Sequence, residues 1–218
     1  MHPSDQPSRR DFLKTVAGAG AGIALAQVGV RADTPANDSK LAMLAYRAPK
    51  LDKVRVGFIG VGARGGGHLG QMMTLEGVEV TAIADNHAPT LNSAVARVEK
   101  AGRPKPAAYG NGDKDYLNLL QRDDVDMVIV ATPWEWHARM CVDAMKAGKH
   151  AFTEVPACVT VDEAWELVET SEKTKKLCMM LENVNYGREE LFCLNLCRLG
   201  VLGDLLHAEA AYIHELRG

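Results

Sequence analysis

No apolar run in this sequence reaches the roughly 20 residues that an ordinary membrane-spanning helix needs, so no segment reads as a span. A strong excess of one charge is also missing. The net charge is −3, which gives no reason to expect nucleic acid or an anionic membrane as partner. No internal repeat is visible, and low complexity is confined to the first 32 residues. Cysteine is scarce and unpatterned. The five are Cys141, Cys158, Cys178, Cys193 and Cys197, and the odd count supports no disulfide framework. Cys193 and Cys197 would share a helix face, but two thiols without a nearby His or second Cys pair make a poor zinc site. Buried unpaired thiols are the expectation, and no metal site is expected.

What is present is a globular composition. The chain has 218 residues, 47% hydrophobic and 24% charged, enough for one domain of ordinary size and part of another. The N-terminus reads Ser8-Arg9-Arg10-Asp11-Phe12-Leu13-Lys14 and resembles a twin-arginine export signal. A mildly apolar stretch rich in glycine and alanine follows, and cleavage after Ala32 is expected. Residues 1–32 are therefore read as a signal peptide and 33–50, polar and rich in Pro and Ala, as a tether.

From Val54 onward, apolar runs alternate with amphipathic segments. Strands are expected at Val54–Ile59, Val78–Ala84, Ala107–Tyr109, Met127–Ala131, His150–Thr153 and Leu177–Leu181. Helices are expected at about 65–76, 88–101, 113–121, 135–147 and 161–175. This alternation predicts an α/β fold, a doubly wound parallel sheet covered by helices on both faces, over residues 51–183. Near-continuous apolar strands such as Met127–Ala131 suit a sheet buried on both sides. A helix at Glu189–Leu199, closed by Gly200, and a new extended run at Leu205–Leu216 make residues 184–218 read as the start of an incomplete second domain.

Chemistry concentrates where the strands end. Val54–Gly65, VRVGFIGVGARG, is a strand breaking into Gly60, Gly62 and Gly65 in the G-x-G-x-x-G pattern. Such glycines allow the tight turn, the backbone's approach to a pyrophosphate, and close helix–sheet packing. The helix N-terminus at Ala63-Arg64 offers free N–H groups, and Arg64 adds a charge. Asp85 follows Gly65 by 20 residues, placed to accept the ribose hydroxyls of an adenosine and to disfavour a 2′-phosphate. NAD is thus expected over NADP. Asp85 could also serve as a helix N-cap. Trp134, Glu135, Trp136 and His137 follow the fourth strand; they are read as a binding cluster, with packing at a helix start as the alternative. Glu154 and Val155 end the fifth strand, near the expected nicotinamide end, and Glu182-Asn183 end the sixth.

With these motifs the chain resembles the Gfo/Idh/MocA oxidoreductases, which join a Rossmann-type domain to a mostly antiparallel sheet domain. Their Glu-Lys-Pro signature is here Glu154-Val155-Pro156, so the lysine that assists hydride chemistry is absent. The twin-arginine leader, GVGARG, TPWEWH, TEVPA, MLENVNYGREEL and AYIHELR together resemble glycoside hydrolase family 109, the NAD-dependent α-N-acetylgalactosaminidases. The resemblance implies that Ala63, Arg64, Asp85, Trp134 to His137, Glu154, Val155 and Asn183 hold NAD and that Tyr212 contacts substrate. It implies that the chain is about half of such a protein, with catalytic residues beyond Gly218 and a homo-oligomer among its relatives' habits. The implied substrate is a glycoside with an N-acetylhexosamine end, and the implied export partner is the twin-arginine machinery.

The implied reaction is oxidation at sugar carbon 3, loss of the carbon-2 proton that the ketone acidifies with departure of the glycoside by elimination, water addition and re-reduction: net hydrolysis without net redox. An exported enzyme cannot count on a free NAD pool, so a cofactor loaded before export and regenerated each turnover suits this chain. Two alternatives stay open: an exported sugar oxidoreductase with tightly bound cofactor, and a non-catalytic dinucleotide-binding fragment.

Overall fold

The computed structural model describes residues 46–183 and 185–209, with Met43, Ala211 and Ile213. The expected signal peptide and most of the tether lie outside the described residues, as does Tyr212.

Six strands form one sheet in the order β3-β2-β1-β4-β5-β6. They are β1 (Val54–Ile59), β2 (Val78–Ala84), β3 (Ala107–Tyr109), β4 (Met127–Val130), β5 (His150–Thr153) and β6 (Cys178–Met180). Every neighbouring pair is parallel. The helices between and after them are α1 (Ala63–Met72), α2 (Ala88–Lys100), α3 (Tyr116–Leu120), α4 (Trp134–Lys146), α5 (Val161–Thr174) and α6 (Arg188–Arg198). All six expected strands form, two of them shorter than the apolar run that marks them.

The strand period of two divides the core. Val128 and Val130 of β4 join Leu119, Cys141, Met145 and Leu167, contributed by α3, α4 and α5. Met127 and Ile129 of the same strand join Leu69, Leu91, Val95 and Val98 from α1 and α2. Both faces of the sheet are therefore apolar, which is why its strands read as unbroken hydrophobic runs. Arg55 fastens β1 to β4 at the amino edge. Its backbone N–H, Nε and Nη2 all donate to the Asp126 carboxylate, at 2.8, 3.0 and 2.6 Å.

Helix α5 begins with a reciprocal capping box. Glu163 N–H donates to Thr160 Oγ1 at 3.2 Å, and Thr160 N–H donates to Glu163 Oε2 at 3.0 Å. Helix α1 begins two residues earlier than the glycine run suggests, so Gly65, Gly66 and Gly67 sit inside its first turns.

The extended run expected from Leu205 does not form a strand among its described residues. Leu205–Glu209 has no regular secondary structure and is exposed. A lone strand cannot satisfy its backbone or bury a face, and no described strand pairs with it. Helix α6 buries no residue, and its Phe192 is 61% exposed.

Candidate functional site

The strand order reverses at β1, whose neighbours β2 and β4 leave it in opposite directions along the sheet. Ligands of open α/β sheets sit at the carboxyl ends of the strands at such a switch point. A cleft of about 320 Å³ lies there, lined by the ends of β1, β2, β3 and β4. Gly60, Gly62, Asp85 and Trp136, singled out from the sequence, all line it.

The glycine turn is built by contact and by space. Gly60 has φ +84°, and a Cβ there would lie 2.6 Å from the Ala131 carbonyl oxygen. A Cβ on Gly65 would lie 2.1 Å from the Gly60 oxygen, so α1 can approach the strand end only without a side chain. At Gly62 the reverse holds: an added Cβ would meet nothing within 4 Å and would project into open space. Gly62 is the N-cap of α1, no side chain caps the helix, and its first turn carries no acidic residue. The first-turn N–H groups have no partner within the helix and face an anion's natural seat. A pyrophosphate fits this cradle by both charge and shape.

Asp85 fixes the same turn. Its Oδ2 accepts from Val61 N–H at 2.9 Å and its Oδ1 accepts from His87 N–H at 2.9 Å. The N-cap residue of α2 is His87, while the Asp85 carboxylate takes up a free N–H at that helix start. Each carboxylate oxygen keeps acceptor capacity for a ribose hydroxyl.

A second carboxylate on the rim was not anticipated. Asp113 lines the cleft, and its Oδ1 accepts from Asn86 Nδ2 at 2.7 Å. The loop that carries it is held by buried Asp115, which accepts from Asn111 N–H and Asn118 Nδ2 at 2.8 and 2.7 Å. These hydrogen bonds hold the Asp115 carboxyl below its usual range. The only sequence signal was a Gly-Asn-Gly-Asp turn after a strand of three residues. Tyr109 and Tyr116 also stand on the cleft wall.

The Trp134–His137 cluster divides. Trp136 lines the cleft, Trp134 is 64% exposed, Glu135 is exposed, and His137 is buried. His137 Nδ1 and Nε2 lie 2.7 Å from the carbonyl oxygens of Pro156 and Thr132, respectively. The ring therefore fastens the β4 and β5 ends together, and only its backbone is left to face a ligand.

Glu154 is buried at the end of β5. Its Oε1 accepts from Arg64 Nη2 at 2.9 Å and lies 2.5 Å from His68 Nε2. Burial alone would raise the Glu154 pKa, but the hydrogen bonds and charges of His68 and Arg64 outweigh it and hold the carboxyl below its usual range. Arg64 and Glu154, two separate sequence candidates, thus form one unit, and His68 is the member that the sequence reading missed. Its signal was weak: one histidine in the first helix after a glycine turn. Ala63 stands in the exposed first turn of α1, Val155 is half-buried beside Glu154, and Asn183 is exposed after β6. Among the described residues no group of His, Cys, Asp and Glu could hold a metal ion.

Known proteins share this fold. Residues 54–182 match the Gfo/Idh/MocA model, described as an oxidoreductase family with an NAD-binding Rossmann fold, and residues 6–26 match the twin-arginine translocation signal. The chain is therefore marked for export by the twin-arginine route, and NAD is the cofactor of its fold. A glycosyl hydrolase family 109 protein of Shewanella baltica is 54% identical over 213 residues, 96% of this chain and 46% of that protein. An alpha-N-acetylgalactosaminidase of Shewanella oneidensis is 52% identical over the same shares. The chain spans about half the length of these curated relatives. Among solved structures, the WlbA dehydrogenase of Chromobacterium violaceum, in complex with NADH and UDP-GlcNAcA, has the same fold. Its TM-score is 0.61 at 21% identity, covering 71% of this chain and 42% of that one. The glycine cradle, the strand order and the match across residues 54–182 lead to one assignment: the chain belongs to the Gfo/Idh/MocA oxidoreductase family.

Proposed function

We propose that this chain carries the NAD-holding half of an exported glycosidase that cleaves glycosides ending in an N-acetylhexosamine. The observation that carries the reading is the 52–54% identity to family 109 glycosidases across 96% of the chain. When bound, NAD supplies a hydride acceptor and donor for transient oxidation of the sugar.

The chain's own part is to bind, orient and shield. The first-turn N–H groups of α1, at Ala63 and Arg64, hold the pyrophosphate in the open space over Gly62. Asp85, with Asp113 beside it, accepts ribose hydroxyls. Two carboxylates on one rim repel a 2′-phosphate, which supports NAD over NADP. Trp136 supplies an apolar wall. Glu154, kept anionic by Arg64 and His68, ties the nicotinamide end of the site to α1. Val155 stands beside it, and among the described residues no lysine lines the cleft. Tyr212 is the proposed substrate contact, and a homo-oligomer is the proposed assembly.

The test is made on the full-length gene product. Release of the aryl group from an aryl α-N-acetylgalactosaminide, with no net change in cofactor redox state, is expected. An untouched glycoside together with reduced cofactor accumulating on a free sugar would establish a sugar oxidoreductase instead. A single oligomeric mass in solution checks the assembly.

A further inference from the structure

The sequence reading left all five cysteines unpaired, but the fold brings two of them together. Cys141 lies on α4 and is fully buried. Cys178 is the first residue of β6, the edge strand, and is half-buried against the same apolar cluster as Cys141. Cys178 stands in register opposite Ala151, and Met180 opposite Thr153. Paired residues of a parallel ladder share a face. Ala151 and Thr153 are wholly buried, and Ala151 belongs to the cluster that α4 covers, so Cys178 looks toward α4. There Cys178 packs against the apolar cluster that contains Cys141, and the two thiols shift each other's pKa, Cys141 upward and Cys178 downward. The residues are 37 apart in sequence, and the contact exists only because β6 joins the sheet beside β5.

We propose that Cys141 and Cys178 are a dithiol pair that closes to a disulfide after export, stapling edge strand β6 to helix α4. The chain carries a twin-arginine signal, and that route delivers it from a reducing to an oxidising compartment. The oxidant is a disulfide, small or protein-borne. Cys178 is the more exposed of the two, and the neighbouring Cys141 thiol lowers its pKa against the opposing effect of burial. As a thiolate it attacks one sulfur of the oxidant. The oxidant's S–S bond breaks, one thiol leaves, and a mixed disulfide forms on Cys178. Cys141 then loses its proton and attacks Cys178 Sγ, expelling the second thiol. The protein loses two protons and two electrons, and the oxidant gains them as two thiols. The staple anchors a strand of three residues at the open edge of the sheet, one residue before Glu182 and Asn183.

The test is made on the purified chain, incubated with oxidised glutathione and then digested without reduction. The expected result is loss of two hydrogens from the intact mass, one cross-linked peptide pair containing Cys141 and Cys178, and full reversal by reductant. A rise in Tm of roughly 5–10 °C should accompany closure of the loop. Five thiols still free after incubation would overturn the proposal. So would a cross-link through Cys158, which borders the same cluster, or between Cys193 and Cys197. A Cys141→Ser chain is expected to retain glutathione on Cys178. Stable glutathione on Cys141 in a Cys178→Ser chain would overturn the order of attack.

Discussion

Adding one methyl group at Gly62 or at Gly65 separates what the glycine turn does for the fold from what it does for the ligand. At Gly65 the new Cβ would sit 2.1 Å from the Gly60 carbonyl oxygen and 3.3 Å from Ala131 Cβ. The first neighbour is backbone at a strand end and cannot swing away, so α1 must move off the sheet by more than 1 Å. Overpacking of that kind costs about 3 kcal/mol. Replacing glycine by alanine within a helix returns about 1 kcal/mol. The net loss is about 2 kcal/mol, a fall in Tm of about 4–8 °C for a domain of this size.

At Gly62 nothing lies within 4 Å of the new methyl. The fold loses only the N-cap difference between Gly and Ala, about 1 kcal/mol or less. On the proposed reading the methyl would occupy the seat of the pyrophosphate, and we expect NAD affinity to fall at least tenfold, about 1.4 kcal/mol. Thermal denaturation reads both effects. At an NAD concentration 100 times the Kd of the unaltered chain, NAD should stabilise that chain by about 2.7 kcal/mol and Gly62→Ala by about 1.4 kcal/mol or less. If Gly62→Ala gains as much from NAD as the unaltered chain does, no phosphate approaches that backbone and the cradle is misassigned. If Gly65→Ala melts unchanged, the close approach of α1 to β1 is not what requires glycine there.

Two other perturbations test the rim and the amino edge. Asp85→Asn keeps an oxygen for Val61 N–H but removes the charge; titration should show NAD binding weakened about tenfold, about 1.4 kcal/mol, and discrimination against NADP reduced. Unchanged preference would assign the discrimination elsewhere, with Asp113 the first candidate. The Asp126 pKa is lowered, first by the Arg55 side-chain hydrogen bonds, against the opposing effect of burial. A carboxyl whose pKa is lower in the folded than in the unfolded chain contributes stability that is present above the ordinary aspartate value, about 3.9, and is lost as pH falls through the folded value. Asp126→Asn should therefore lower stability near neutral pH by about 1–2 kcal/mol, discounted for the partly exposed guanidinium, and flatten the acid limb of a pH–Tm profile. An acid limb of unchanged slope would show that other carboxylates set it.

The sequence by itself determined the order and type of the elements, because each strand buried on both faces is a continuous apolar run and each helix between has a 3.6-residue pattern. It also determined the glycine turn and Asp85, since the spacing of a strand, a turn and the next strand end is local. The order β3-β2-β1-β4-β5-β6, which opens the cleft, came with the fold class. Which side chains face that cleft was decided only by the tertiary structure. Trp136 and His137 are adjacent in sequence, yet one lines the cleft and the other is buried between two carbonyls, because neighbours on a helix point 100° apart. Asp113 reaches the rim through a loop held by Asp115, and the Gly-Asn-Gly-Asp turn that carries it marks a turn in the sequence but not a place on the cleft. Arg64, His68 and Glu154 meet across 86–90 residues, and Cys141 meets Cys178 across 37. Contacts of that separation depend on where strands add to the sheet, and no local pattern records them.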